Sequence, residues 1–426
     1  MSICRGDRMK NNSIIAFSSK IDNLRFGVQG VRIEVLKKYR DSEPVFNRHA
    51  VIVLRNKQNN RLCVHPFTDF IFYNWKYRAY NTQRLHANYL CSFLNFILIE
   101  NRKKFKLTSL KELQFSHGTA FLNELSKQEK SRITIQKAER TLTLFFEFLV
   151  KKKLLIHITE SDFKKQILYG KQNQKYTISP FKGVIKPKNK KDHIAHDLPE
   201  RYILPFIELA FKVANPIALG VYLQIFGGIR QGELVNIQRS DVTSIGSFGE
   251  FGVVIKLQQK NMRMDINDSS GSSGVKKPRR QIVFPIQNWL QHLYQYHLKT
   301  YNPVDGSDAL FINRDGKAMS GQSYRAYFSK LKKEFLKQLR NSTNTEDIIY
   351  SVKLEEKKWS THLGRGIFTN LLAEEADNPY DIALPRGDSN LSTSLIYQGN
   401  TERMRSKLES RMEELYKGYL PNLNNH

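Results

Sequence analysis

The apolar positions of this chain change their period along its length, and each change marks a different kind of element. Over residues 1–78 no long periodicity holds. Two short runs, 50–54 and 61–65, flank a polar turn at 56–60 and predict a β-hairpin. From about Thr82 the apolar residues recur every three to four positions, so that Leu85, Tyr89, Phe93 and Phe96 are expected on one helix face. A second helix repeats the pattern with Ile135, Ala138, Leu142, Phe145 and Leu149, and carries Arg132, Lys137 and Arg140 on its other side. Residues 202–226 read as helices, 251–259 and 281–286 as strands, and helical patterns resume from Trp289. A last helix is predicted over 402–417, with Thr401 as N-cap and a stripe of Met404, Leu408, Met412 and Leu415.

The segments between these elements differ in composition. Residues 164–191 hold nine lysines and no acidic residue, together with Gly170, Pro180, Gly183 and Pro187, and read as an extended basic linker. The two strands are separated by a long loop containing DSSGSSG at 268–274, a flexible composition. This gives four regions: an accessory segment over 1–78, a helical domain over 79–163, the linker over 164–197, and a mixed α/β domain with its tail helix over 198–426. The fold class is mainly α with a small β-sheet, and no internal repeat interrupts it.

Charge narrows the partners. Sixty-eight Lys and Arg against 40 Asp and Glu leave a formal charge of +28, which favours polyanions through counterion release. Arg132, Lys137 and Arg140, with Lys186, Lys188, Lys190 and Lys191, are the candidate contacts to a phosphate backbone. The three cysteines have neither metal-ligand spacing nor a disulfide pattern, so no metal site is expected. No apolar run reaches the length of a membrane span, and the richest stretch, 214–229, is broken by Asn215, Pro216 and Gln224. Without an apolar leader segment the expected location is cytoplasmic, on the nucleoid if the source is bacterial.

Four pieces of the C-terminal half carry candidate chemistry. GIRQGELVNIQRSD at 228–241 places Arg230 after a glycine turn, with Glu233 three residues on. The β-hairpin brings Lys256 and Lys260, then Lys276, Lys277, Arg279 and Arg280. HLGR at 362–365 puts His362 and Arg365 one helical turn apart. RGDSNLSTSLIY at 386–397 ends on Tyr397. The tripeptide at 386–388 also matches an adhesion motif, which is a coincidence in a basic chain of this kind.

In this order the four pieces resemble the catalytic domain of the tyrosine recombinases, the phage and transposon integrases, over roughly residues 198–415. Residues 80–155 are more loosely similar to that family's helical core-binding domain. The resemblance implies a DNA-cutting and rejoining activity in which Tyr397 attacks phosphorus and forms a 3′-phosphotyrosyl bond. Arg230 and Arg365 would stabilise the charge on the phosphate, a hairpin lysine would protonate the leaving oxygen, and His362 would assist proton transfer. Lys260 is chosen for that role, with Lys256, Lys276 and Lys277 as alternatives. Glu233 is read as orienting Arg230.

The resemblance further implies no cofactor and no ATP. It implies two domains clamping double-stranded DNA, homodimers or tetramers on paired sites, and a tail helix that docks on a neighbouring protomer. The expected role is integration, excision or transposition of a mobile element. Two positions depart from the pattern: Asp388 stands where the family usually has His or Trp, and Gly366 where His is frequent. Those departures leave the fifth catalytic position open. They also keep a type IB topoisomerase-like enzyme and a non-catalytic DNA-binding architectural protein as rival readings.

Overall fold

A computed structural model describes residues 23–35, 45–168, 174–188, 195, 197–375 apart from 248, 267 and 269, then 381, 385–386 and 408–417. The chain divides into two compact units, Met1–Lys191 and Asp192–His426. Each is mainly helical with small antiparallel sheets.

In the first unit, β1 (Leu24–Val35) pairs along its whole length with β2 (Val45–Asn56), and β2 pairs with the short β3 (Leu62–Val64). The β2–β3 pair is the hairpin expected from the sequence. Because β3 has only three residues, part of β2 has no strand partner on that side among the described residues. Side chains take over: the Ile52 N–H donates to Thr68 Oγ1 at 3.0 Å, and the Ala50 N–H to Gln83 Oε1 at 3.0 Å.

Thr68 opens α1 (Thr68–Trp75), and Gln83 lies in α2 (Tyr80–Asn95). The buried face of α2 is therefore Gln83, Ala87, Leu90, Cys91, Phe93 and Leu94, while Leu85 lies 36% exposed. The expected stripe is rotated by this polar requirement. Gln83 is wholly buried and satisfied, since its amide also donates to the Lys76 and Arg78 carbonyls at 3.2 and 2.9 Å. Gln83→Ala would leave three backbone groups without partners. Urea unfolding should show a loss of about 2–3 kcal/mol, and Gln83→Leu, which restores volume alone, should not recover it.

Further helices close this unit: α3 (Arg102–Phe105), α4 (Phe115–Lys127) and α5 (Arg132–Lys151). On α5 the predicted stripe holds, with Ile135, Ala138, Leu142, Phe145 and Leu149 all buried. They meet Phe67, Phe70, Phe93 and Phe121 in an aromatic-rich core.

The lysine-rich stretch differs from an open linker. Its described residues form a hairpin of β4 (Lys165–Leu168) and β5 (Gln174–Thr177), followed by a strap laid on α4. Phe181 is buried against Gly118, where an added Cβ would come within 2.2 Å of the ring. Asn123 then binds the strap twice, donating to the Gly183 carbonyl at 3.2 Å and accepting from the Ile185 N–H at 2.8 Å.

The second unit is built around α7 (Ala218–Gly227), every residue of which is buried. A helix apolar on all sides must be enclosed. Packed about it are α6 (Ile203–Val213), the short α8 (Gln231–Leu234), the sheet of β6 (Val242–Ser244), β7 (Val253–Leu257) and β8 (Arg279–Val283), then α9 (Trp289–Thr300), α10 (Gly321–Arg340), α11 (Thr345–Glu355) and α12 (His362–Glu375). The sheet order is β6-β7-β8, all antiparallel.

Residues 408–416 form a tail helix whose Leu408 and Met412 are buried in this unit's own core, and Arg411 pairs with Glu200. The stripe predicted for docking on a neighbouring protomer is thus occupied within the chain. Met404 and the N-cap Thr401 lie outside the described residues.

Candidate functional site: an arginine-rich centre around a buried glutamate

The centre begins where α7 ends. Gly228 adopts φ +61°, a left-handed conformation that closes the helix, and its N–H returns to the Gln224 carbonyl at 3.1 Å. An added Cβ here would approach the Phe368 ring to 2.4 Å, so glycine is required on both counts. The chain then runs extended through Arg230, at φ −78° and ψ 152°, into α8.

Glu233 is the hub of the centre. Its side chain is fully buried, and its carboxylate accepts from four donors. These are the Arg230 N–H at 2.8 Å, Arg230 Nη1 at 3.0 Å, and the Arg279 fork at 2.6 and 3.0 Å. Burial alone would push this carboxyl up. The hydrogen bonds and charge of Arg279, with those of Arg230, outweigh that and hold it below the usual carboxylate range. Glu233 thus binds Arg230 through both its backbone N–H and its guanidinium, and it also binds a second guanidinium.

Arg279 is named in the basic hairpin by the sequence but receives no role there. Strand alternation identifies it: on β8, Gln281 and Val283 face the core, so Arg279 shares their side, while Arg280 points outward opposite Lys256. Gln281 continues the chain of contacts, accepting from Arg279 Nε at 2.9 Å and donating to the Pro385 carbonyl at 2.6 Å.

Arg365 reaches the same turn from α12. It is buried, and its guanidinium donates to the Gly228 carbonyl at 2.6 Å and to the Arg386 carbonyl at 3.1 Å. It thus meets the backbone two residues from Arg230. Contact between α12 and α7 is close because Gly364 sits against Gln224, where a Cβ would come within 2.7 Å. His362, the first residue of α12, is exposed whereas Arg365 is buried, so the two residues of this motif face different surroundings.

A buried polar chain ties the two motifs together. Tyr324 donates to Gln224 Oε1 at 2.9 Å, and Gln224 donates to the Thr361 carbonyl at 3.1 Å. Thr361 donates to Gln231 Oε1 at 3.1 Å, and Gln231 donates to the Gly321 carbonyl at 2.6 Å. The neighbours of Arg230 and His362 are locked to one another.

Among the hairpin lysines, Lys260 is the one drawn inward. Its side chain is 20% exposed and its ammonium lies 3.3 Å from the buried Asp241. Lys256, Lys276 and Lys277 are exposed.

The serine–glycine loop is not the loose connection that its composition suggests. Asp268 accepts from Ser270 Oγ at 2.6 Å and from the Ser273 N–H at 2.9 Å. The loop backbone then fits against two glycines. A Cβ on Gly232 would meet the Gly274 carbonyl oxygen at 2.4 Å, and one on Gly321 the Ser272 carbonyl oxygen at 2.4 Å.

Asp388 and Tyr397 lie outside the described residues, as do Lys190 and Lys191. In the first unit, Arg132, Lys137 and Arg140 are exposed on α5, and Arg140 also donates to the Thr177 carbonyl at 3.0 Å. Lys137 and Arg140 border His86, which stacks on Trp75 at 3.8 Å. Burial first, and then these two cations, lower its pKa to about 4, so this imidazole is neutral near pH 7. Lys186 is paired with Glu139 at 2.5 Å and is partly withdrawn, whereas Lys188 is exposed. Among the described residues no cluster of His, Cys, Asp and Glu could hold a metal ion, and no helix is long and apolar enough to cross a membrane.

The class defined by this geometry is a mainly α protein with small sheets and a centre in which two arginines bind one buried carboxylate and a third reaches the turn beside them. No protein-family model matches the chain, and no curated protein matches it by sequence. Solved structures similar to it are named as recombinases and integrases. A Tn1549 transposon integrase fragment in complex with circular intermediate DNA is 16% identical, over 77% of this chain and 94% of that one, with a TM-score of 0.49. The XerH site-specific recombinase bound to difH is 18% identical, over 78% and 79%, with a TM-score of 0.46. A lambda integrase dimer bound to a core site is 10% identical, over 76% and 95%, with a TM-score of 0.46. At identities this low, the site residues themselves must carry the functional reading.

Proposed function

We propose that this chain is a site-specific DNA recombinase of the tyrosine type, which cuts and rejoins duplex DNA during integration, excision or transposition of a mobile element. The observation that carries the reading is the arginine centre. Glu233 holds Arg230 and Arg279, and Arg365 reaches the turn beside them. Forked cations fixed by a buried carboxylate suit the transition state of phosphoryl transfer, whose charge develops on non-bridging oxygens.

In the proposed reaction His362 takes the phenol proton of Tyr397. The phenolate oxygen then attacks phosphorus, and the bond to the 5′-oxygen breaks with its electron pair. Lys260 supplies the proton that this oxygen requires. The phosphotyrosyl bond conserves the energy of the broken linkage, so rejoining runs backwards without ATP. The cations Arg230, Arg365 and Lys260 supply the positive charge, so a metal ion is not needed. Arg132, Lys137, Arg140, Lys186, Lys188, Lys190 and Lys191 contact the DNA backbone, and the protein acts as a dimer or tetramer on paired sites.

The test is covalent trapping. Wild type and Tyr397→Phe are mixed with supercoiled plasmid carrying the gene's own flanking DNA, in EDTA, and quenched with SDS. An adduct with wild type alone is expected. Binding without an adduct in either protein would favour an architectural DNA-binding role, and an adduct that disappears in EDTA would overturn the metal-free scheme. DNA affinity should fall with salt on a log–log slope of about −0.9 per phosphate contact. A flat dependence would contradict the assignment of the basic residues.

A further inference from the structure

One strip of chain, residues 230–241, grips both strands of the β7–β8 hairpin. Glu233 holds Arg279 at the start of β8. Asn236 and Asp241 hold Lys260 just after β7, one by the backbone and one by the ammonium. Asn236 Oδ1 accepts the Lys260 N–H at 2.9 Å, and Asp241 Oδ1 lies 3.3 Å from Lys260 Nζ. Neither anchor is itself loose. The Asn236 amide donates to the Gly232 carbonyl at 2.7 Å and to the Ser273 carbonyl at 2.7 Å. Asp241 is 7% exposed, and its other oxygen accepts the Gln238 N–H at 3.0 Å.

A lysine held only through its backbone keeps several rotatable bonds, and its ammonium samples many positions. A buried carboxylate fixed at its other oxygen restricts that sampling to one region. From this juxtaposition we propose that Asn236 and Asp241 are positioning residues for Lys260, with Asp241 fixing where its ammonium stands for proton delivery to the leaving 5′-oxygen. The inference rests on the recombinase reading and extends it to two residues outside the catalytic set. Asp241 acts through Lys260 and does not touch the DNA.

The experiment compares full-length wild type, Asp241→Asn and Lys260→Ala. The probe is a duplex from the gene's flanking DNA spanning the cut mapped from the wild-type adduct. It is made once with the ordinary phosphodiester and once with sulfur in place of the bridging 5′-oxygen. A thiolate departs without a proton, so the sulfur strand bypasses any general acid. Asparagine keeps an acceptor for the Gln238 N–H, so the fold is expected to survive, and a thermal melt checks this.

Asp241→Asn should cut the ordinary strand about tenfold or more slowly, part of the 10²–10⁴-fold a general acid supplies. DNA affinity should be unchanged, and the sulfur strand should be cut as by wild type. Lys260→Ala should show a larger loss and the same recovery. Asp241→Asn cutting the ordinary strand as fast as wild type or faster, or a loss that sulfur does not restore, overturns the positioning role. If Lys260→Ala is not rescued by sulfur while wild type forms the adduct, the lysine assignment falls and the inference with it. Absence of any wild-type adduct overturns the recombinase reading itself.

Discussion

Glu233→Gln is expected to lower the free energy of unfolding by about 3–5 kcal/mol, because it removes one side of a buried ion cluster and leaves two guanidiniums with a neutral partner. The same change should suppress strand cleavage while duplex affinity is largely retained, since the backbone contacts proposed for Arg132, Lys137 and Arg140 lie outside the centre. The stability part has a defined pH window. The Glu233 carboxyl is held below its ordinary value in the folded chain, so its contribution is present above the pKa of the unfolded chain, near 4.5. It is lost as pH falls through the lower folded value. Wild type should therefore lose part of its margin over Glu233→Gln as acid is added below about pH 4.5, a range read against the ordinary glutamate pKa. Urea titrations at pH 7 and near pH 4 would reveal this, and a difference between the two proteins that does not shrink in acid would remove Glu233 from the centre of the ion cluster.

The second large effect is expected at Arg365. Its fork spans two carbonyls, at Gly228 and at Arg386, and so joins the turn after α7 to the segment that leads towards Tyr397. Arg365→Lys preserves the charge, but a single ammonium cannot reproduce a planar fork. Adduct formation should fall by about 10²–10³-fold, as for loss of one preorganised donor at a transition state, with DNA affinity changed by less than about tenfold, an amount worth 1.4 kcal/mol. If affinity fell as far as rate, Arg365 would be a ground-state anchor for the backbone and its role at the transition state would fail.

The parts of this fold that were legible in the sequence are those in which one physical demand dominates. On α5 the burial of one face imposes a 3.6-residue period, and the stripe from Ile135 to Leu149 is read directly. On α2 two demands compete. The backbone of β2 needs acceptors, and Gln83 is taken inside to supply one while Leu85 is left outside. Nothing in α2 alone announces that need, because it arises from a strand pairing that ends early. β1 is not legible for a related reason, since Gly27 and Gly30 interrupt its alternation, and at Gly30 an added Cβ would come within 2.9 Å of the Tyr80 hydroxyl.

At the centre, order and spacing single out Arg230, Glu233 and Arg365 as candidates, and the structure brings Arg230 onto Glu233 and Arg365 onto the turn before them. Arg279 could have been found by counting back in twos from Val283 and Gln281. The pairing of Lys260 with Asp241 joins residues whose proximity only the folded hairpin creates. Likewise the stripe of the tail helix was legible, but the surface it would cover was not. Leu408 and Met412 fill the chain's own core.

The serine–glycine loop has a consequence for how such chains diverge. Its backbone occupies the space that side chains at positions 232 and 321 would need, and its carbonyls stand against both. A methyl group at either position displaces the loop, and a shorter loop vacates both positions. Gly232, Gly321 and the 268–274 loop are therefore expected to be inherited as a set. Among descendants of a common ancestor, larger residues at 232 and 321 should appear together with deletions in the loop, and glycine at both positions should accompany its presence.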